Sequence, residues 1–192
     1  MRDLTILTFV TLDGVMQAPS MPDEDRSRSF DLGGWAAPFW EGVMEQVQRE
    51  AMSMPYDMLF GRKTYDLFAG HWPDADDDPI ADMMTAARKY VVTSSTSGLT
   101  WNNSQAVSGD LTREIAKLKR EDGPLLQVHG SWQLIQFLLA EDLIDEFRIW
   151  TFPVVLGSGK RLFERGARPL KLKLQKSEAL ADGTVMSLFK RG

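Results

Sequence analysis

Apolar residues along the chain recur at two spacings in turn, every second position and then every third or fourth, which predicts strands alternating with helices. Leu4 to Leu12 puts Leu4, Ile6, Thr8, Val10 and Leu12 on one face and Leu7 and Phe9 on the other, the pattern of a strand buried on both sides. Asp13-Gly14 ends it as a turn. Val43 to Met52 carries a helical stripe of Val43, Val47 and Ala51. Tyr56 to Phe60 is a short strand, and Arg62 to Phe68 a short helix after Gly61. A helix over Ile80 to Ala87 and strands over Tyr90 to Thr93 and Trp101 to Val107 follow. Asp110 is placed to cap a helix with Leu111, Ile115 and Leu118 on one side. Leu125 to Val128 is a strand, and Ser131 to Ala140 a helix that pairs Leu134 with Leu138 and Ile135 with Leu139. Asp145 to Leu156 is expected as one long strand, the alternating Leu170, Leu172 and Leu174 as a half-exposed one, and Val185 to Phe189 as the last.

Two stretches break this rhythm. Gln17 to Gly34 is polar, with Pro19, Pro22 and a charge cluster, and Gly70 to Pro79 holds Asp74, Asp76, Asp77 and Asp78. Loops of such length are often lids or disordered segments. The early strand–helix alternation implies parallel pairing, and the short connections among the last three strands imply antiparallel pairing. Together they predict an α/β fold: one domain over residues 1–192, with a mixed sheet of roughly eight strands and helices on its faces.

Composition narrows the chemistry. Hydrophobic residues make up 43% and charged residues 26% of the chain, as expected of an ordinary globular protein. No apolar run approaches the ~20 residues of a membrane span, and Arg2-Asp3 leads straight into a strand where a signal peptide would have its apolar stretch. The expected location is the cytoplasm, with no membrane partner. A net charge of −5 argues against nucleic acid. Without cysteine, and with only His71 and His129, the chain has no disulfide, no thiol nucleophile and no cysteine- or histidine-rich metal site. Demanding chemistry is left to carboxylates or an organic cofactor.

Two segments share one design, a strand that runs through glycine into a helix. They are Phe60-Gly61-Arg62-Lys63-Thr64 and Val128-His129-Gly130-Ser131-Trp132. Backbone N–H groups at a helix start carry positive partial charge and hold phosphate well. Arg62 and Lys63 add full charges to the first; the plainer alternative is a turn with two solvated cations. Two such starts in one domain suggest a dinucleotide. Thr93, Ser94 and Ser95 leave the end of a buried strand, where their hydroxyls can meet a ribose or a phosphate, or simply make a turn. No acidic residue stands where one would grip a ribose 2′-hydroxyl, which tilts the choice toward a 2′-phosphate and so toward NADPH. Asp13, just past the first strand, can orient a substrate or supply a proton, or can be a turn aspartate. Glu41 and Glu45 are weaker carboxylate candidates. Trp35, Phe39 and Trp40 can line a pocket for a flat ring or pack in the core. His129 can shape its turn instead of reacting.

In order along nearly the whole chain, several segments resemble the dihydrofolate reductase-like superfamily. These are Thr11-Leu12-Asp13-Gly14, Phe60-Gly61-Arg62-Lys63-Thr64-Tyr65, Arg88 to Ser95, Val128-His129-Gly130-Ser131, Leu143-Ile144-Asp145-Glu146 and Pro153 to Phe163. Within it the chain resembles the reductase domain of bifunctional riboflavin-biosynthesis deaminase-reductases, as a stand-alone relative. The resemblance implies a three-layer fold with a mixed central sheet, NADPH as hydride donor, a homodimer and a small heterocyclic substrate of pyrimidine or pteridine type. It places adenosine phosphate near Arg62, Lys63, Thr64 and Ser94, and pyrophosphate on Gly130, Ser131 and Trp132. It puts nicotinamide near Val10, Val154 and Gly157, and substrate over Asp13 and the loop of Trp35 and Phe39. Thr11 stands where that family has serine, and the helix carboxylate of dihydrofolate reductases has no firm match among Glu41 and Glu45. A non-catalytic NADPH- or nucleotide-binding dimer module is the alternative function.

Overall fold

The computed structural model describes residues 1–75 and 78–192; Asp76 and Asp77 of the aspartate-rich stretch lie outside the described residues. One eight-stranded sheet organises the chain, in the order β4-β3-β2-β5-β1-β6-β8-β7. Its strands are β1 (Leu4–Thr11), β2 (Tyr56–Gly61), β3 (Lys89–Val92), β4 (Ser104–Val107), β5 (Leu125–His129), β6 (Glu146–Phe152), β7 (Leu172–Ala179) and β8 (Val185–Arg191). The helices are α1 (Trp40–Ala51), α2 (Arg62–Ala69), α3 (Pro79–Ala86), α4 (Leu111–Arg120) and α5 (Trp132–Ala140).

Strand β1 lies near the middle of the sheet, parallel to both β5 and β6. Its alternation works as predicted. Leu4, Ile6 and Val10 pack with α4 and α5, through Ile115, Leu118, Leu134 and Ile135. Leu7 and Phe9 face the opposite layer, where Val43 and Val47 of α1, Tyr65 of α2 and Met84 of α3 fill the core. Helices therefore cover both faces, and the fold is the three-layer dihydrofolate reductase-like arrangement. Leu12 is not part of the buried run; it lies past the strand and is 64% exposed.

Antiparallel pairing is confined to the far edge. The strand β8 inserts between β6 and β7 and runs antiparallel to both. Three expected strands have different limits. β6 stops at Phe152, short of Leu156, because Pro153 has no N–H for the ladder and the Val154 N–H turns back to the Phe152 carbonyl at 2.8 Å. β7 begins at Leu172 and runs on through charged residues, an edge strand whose exposed side chains hide its length from a hydrophobicity pattern. Trp101 precedes β4; it is buried under Tyr65, whose hydroxyl accepts its backbone N–H at 3.0 Å.

Residues 14–34 form a folded strap. Val15, Ala18 and Phe30 make a small core of their own. Gln17 is 3% exposed; its amide NH₂ donates to the carbonyls of Asp25 and Ser27 at 3.0 Å each, and its Oε1 accepts the Lys160 N–H at 3.0 Å. The strap is thereby bound to residues 157–162, helped by an antiparallel bridge between Val15 and Arg161.

Candidate active site

The parallel strands β1, β2, β3, β5 and β6 all end on one edge of the sheet, the place where ligands of open α/β sheets collect. Asp13, Gly61 to Thr64, Thr93 to Ser95 and Gly130 to Trp132 follow directly from the ends of β1, β2, β3 and β5, while Val10 is buried in the core and Glu41 and Glu45 lie on α1.

Strands β2 and β5 are parallel neighbours, so α2 and α5 start side by side, α2 on one face and α5 on the other. The Gly61 N–H donates to Ser131 Oγ at 3.0 Å, and a Cβ added to Gly130 would sit 3.8 Å from Thr64 Cγ2. The two glycine turns thus meet. Neither helix start is capped by a side chain: Ser131 spends its hydroxyl on Gly61, and Gly61 has none to give. Their first-turn N–H groups are therefore left to an outside acceptor. The Gly61 N–H itself is occupied by Ser131, so the anion-facing donors of the first turn begin after it. Gly130 and Ser131 both adopt left-handed backbone, with φ of 52° and 60°, which tightens the strand-to-helix turn.

Arg62 is engaged by its own protein. Its Nε meets both carboxylate oxygens of Asp66 at 2.8 and 3.0 Å, and its Nη1 donates to the Ser97 carbonyl at 2.9 Å. This ties the loop after β3, which opens with Thr93, Ser94 and Ser95, to the start of α2. Thr93 Oγ1 and Ser95 close a local turn through a 3.2 Å bond from the Ser95 N–H, while Ser94 is exposed. Lys63 is exposed and, among the described residues, has no ion-pair partner.

Asp13 occupies the other end of the edge, between β1 and β6. Its carboxylate accepts from Thr11 Oγ1 at 2.6 Å, from the N–H groups of Leu156 and Gly157 at 3.2 and 2.9 Å, and from Arg161 at 3.2 Å. Arg161 also donates to the Asp13 carbonyl. Burial on its own would raise the Asp13 pKa, but the hydrogen bonds from Thr11, Leu156 and Gly157 outweigh it and lower the pKa to about 2. A carboxylate so held has no proton to give at neutral pH. The proton-donor role expected of Asp13 does not fit this geometry; the residue clamps the Gly157 turn instead. Gly157 and Gly14 both have positive φ, 78° and 83°, and a Cβ at either would meet nothing within 4 Å, so open space adjoins the clamp.

An aromatic floor lies beside it. Phe152 is met edge-on by Phe9, Trp35 and Phe39, with ring centroids 5.7, 5.3 and 5.5 Å away. Trp35 is only 8% exposed and its indole N–H donates to the Gln17 carbonyl at 2.8 Å, so it anchors the strap from below. Of the two aromatic residues expected to meet substrate beside Asp13, that leaves Phe39 as a half-buried surface, joined by Phe9 and Trp40. Val154 is half-buried in the same core, and its carbonyl accepts the Leu12 N–H at 2.8 Å. Trp132 donates its indole N–H to the Arg161 carbonyl at 3.0 Å, with Arg28 and Lys160 packed 4.8 and 5.2 Å from its ring. This indole ties the start of α5 to the clamp.

His129 is structural. Its side chain is buried beside Tyr56, and its Nε2 shares a 2.9 Å hydrogen bond with Gln127 Oε1. Burial, with a smaller push from Arg148, lowers its pKa to about 4, and the ring is neutral. Sequence reasoning overlooked Gln17 and Arg161, because a lone glutamine and an arginine in a basic run carry no pattern. It also left out Phe9 and Phe152, read only as strand residues.

The fold and this edge define a dihydrofolate reductase-like reductase scaffold. The chain belongs to the RibD C-terminal domain family, whose model matches residues 2–186. It is 30% identical over 135 residues to the uncharacterized protein YyaP of Bacillus subtilis (strain 168), spanning 69% of this chain and 72% of that one. It is 43% identical over 60 residues to the uncharacterized protein YwjB of the same organism, covering 31% and 34% of the two chains. A crystal structure of the "Putative riboflavin biosynthesis protein" from Shewanella sp. PV-4 superimposes with a TM-score of 0.62 at 23% identity, covering 100% of this chain and 99% of that one. Family membership supports a reductase-like role of the riboflavin-pathway type. Among the described residues no helix is long and apolar enough to cross a membrane.

Proposed function

We propose that the protein is an NADPH-dependent reductase of a small, flat heterocycle of pyrimidine or pteridine type, folded as one domain over residues 1–192 and working as a cytoplasmic homodimer. The observation that carries this is the meeting of two uncapped helix starts, joined by the Gly61 N–H to Ser131 Oγ bond of 3.0 Å. Two adjacent groups of unsatisfied N–H donors suit a pyrophosphate better than any single anion. Gly61 supports this. Its φ is −76° and a Cβ there would make only ordinary contacts, so the protein's own packing gives no reason for a glycine. Close approach of a ligand does.

In this reading Gly130, Ser131 and Trp132 with Gly61 hold the pyrophosphate. Arg62, Lys63 and Thr64 with Thr93, Ser94 and Ser95 receive the adenosine 2′-phosphate. Val10 supports, from within the core, the wall that Val154 and Gly157 present to the nicotinamide, and Phe39 with its aromatic neighbours faces the substrate. Reduced nicotinamide bound there would supply the hydride for a C=N or C=O bond, with the proton drawn from water. Asp13 fixes the Gly157 turn in place; Trp35 fixes the strap. The protein's own contribution is binding, orientation and exclusion of bulk water.

Titration of the protein with NADPH and NADH tests this. NADPH is expected to bind more tightly. Lys63→Glu is expected to weaken NADPH by about ten-fold and leave NADH nearly unchanged, since it reverses one exposed charge beside the extra phosphate. Absence of NADPH binding at millimolar concentration ends the proposal. The non-catalytic nucleotide-binding module keeps one observation in its favour: Asp13 has no proton to give, and Glu41 and Glu45 face solvent. NADPH binding without turnover of any pyrimidine or pteridine selects it.

A further inference from the structure

We propose that two copies of the chain join along β7, edge to edge and antiparallel, with Leu174 opposite Ser177 and Lys173 opposite Glu178 of the second copy. This names the interface of the homodimer in the reading above and rests on that part of it alone.

β7 ends the sheet on its side and is eight residues long, whereas β4, at the other edge, has four. A long uncovered edge is a template for another strand. The hydrogen bonds at the two ends of β7 fix which backbone groups it offers. The Gly192 N–H donates to the Lys171 carbonyl at 3.1 Å, and the Leu180 N–H to the Thr184 carbonyl at 2.8 Å. Antiparallel ladders alternate, so every second residue from these ends also turns its N–H and C=O toward β8: Lys173 from one side, Glu178 and Lys176 from the other. Leu172, Leu174, Ser177 and Ala179 turn theirs away from the sheet. The two alternations meet at the register shift between Leu174 and Lys176, which absorbs the odd residue.

The four outward positions are symmetric about the point between Gln175 and Lys176. A second β7 turned end for end therefore matches every one of them: Leu172 meets Ala179, Leu174 meets Ser177, and each irregularity faces its counterpart. The side chains agree with this register. Leu174, 52% exposed, gains cover. Lys173 is exposed and has no ion-pair partner among the described residues; it comes opposite Glu178, whose carboxylate lies 2.6 Å from Arg49 and 3.4 Å from Lys176. Opposite charges facing each other across strands stabilise the pairing modestly, and like charges oppose it. A slip of two residues one way sets Lys173 against Lys176 of the second copy. A slip the other way sets the outward Ser177 against the inward Lys176. Lysines that commonly keep foreign strands off an edge here select a single alignment.

Sedimentation velocity on the full-length protein tests the association, and cross-linking tests the register. The parent is expected to sediment as a dimer at about 50 μM. Ser177→Pro removes an outward N–H, a place where an edge strand tolerates proline. It is expected to weaken dimerisation by about 30-fold, because each interface loses the donor twice, with far-ultraviolet circular dichroism unchanged. The chain has no cysteine of its own, so engineered thiols report cleanly. Residues facing each other in a non-hydrogen-bonded antiparallel pair have Cα atoms about 4.5 Å apart, within reach of a disulfide. An equal mixture of Lys173→Cys and Glu178→Cys chains is therefore expected to form a cross-linked dimer on mild oxidation. Neither variant alone should, since its two thiols would lie roughly 17 Å apart along the strands. A monomeric parent overturns the inference. So does a dimer that the mixture fails to cross-link, or that either variant cross-links by itself as readily as the mixture. The cofactor reading is separate: dissociated Ser177→Pro should bind NADPH as the parent does, and loss of NADPH binding by parent and variant alike would sink that reading while leaving this interface standing.

Discussion

Asp13 is where chemistry expected of a residue and chemistry allowed to it part company. A carboxylate just past a central strand has the position of a catalytic acid, yet four donors surround it and keep it ionised. Its contribution to stability is fully present above its ordinary value of 3.8 and is lost as the pH falls through about 2, because the folded state holds its proton less well than the unfolded chain. Asp13→Asn removes the charge and turns an NH₂ toward one of the donors, so it is expected to cost about 1–3 kcal/mol at neutral pH. Urea midpoints of the two proteins should differ at pH 7 and converge as the pH is lowered from about 4 toward 2. If the mutant is equally stable at pH 7, the clamp is not holding the loop.

At the scale of elements, the strap shows what local pattern conveys and what it withholds. Helices, the central strands and the two glycine turns were legible because each depends on residues close in sequence: the alternation in β1, the stripe of α1, and Asp110, which caps α4 by accepting the Arg113 N–H at 3.1 Å. The strap was not, since its order comes from Gln17 and Lys160, far apart in the chain. Nor was the anchoring of the Gly157-Ser158-Gly159 turn, whose first N–H goes to Asp13 and whose following Lys160 N–H goes to Gln17. Gly159 carries a test. Its φ is 122°, and a Cβ there would lie 2.6 Å from Val15 and 2.9 Å from Phe30, inside the strap's small core. Gly159→Ala is expected to cost about 1–3 kcal/mol and to loosen the strap first. Limited proteolysis should then cut within residues 17–34 much faster than in the parent while far-ultraviolet circular dichroism is unchanged. Equal cleavage rates would show that the strap is held by something other than this packing.

The whole molecule divides its labour between the two edges of one sheet. Candidate ligand contacts gather where the parallel strands end; at the opposite edge, where β1 and β2 begin, Arg2 and Asp57 form an ion pair of 2.6 Å with side chains only 4% and 8% exposed. Arg2 also donates to the Leu118 carbonyl at 3.0 Å and lies 5.5 Å from the Tyr90 ring, so it joins β1, β2, β3 and α4 at one point. Removing one partner of such a pair strands the other charge in the interior. Asp57→Ala is therefore expected to cost about 3–5 kcal/mol, a large share of the roughly 5–15 kcal/mol that holds a domain of this kind together. The same change should leave NADPH affinity untouched at temperatures where the mutant stays folded, because a strand's length separates Asp57 from Gly61 and the loops beyond it. Urea unfolding and cofactor titration on one preparation separate the two effects. A fall in affinity in proportion to the loss of stability would mean that the ligand edge is not the independently built surface its loops describe, and that the interior of the sheet transmits strain from one end to the other.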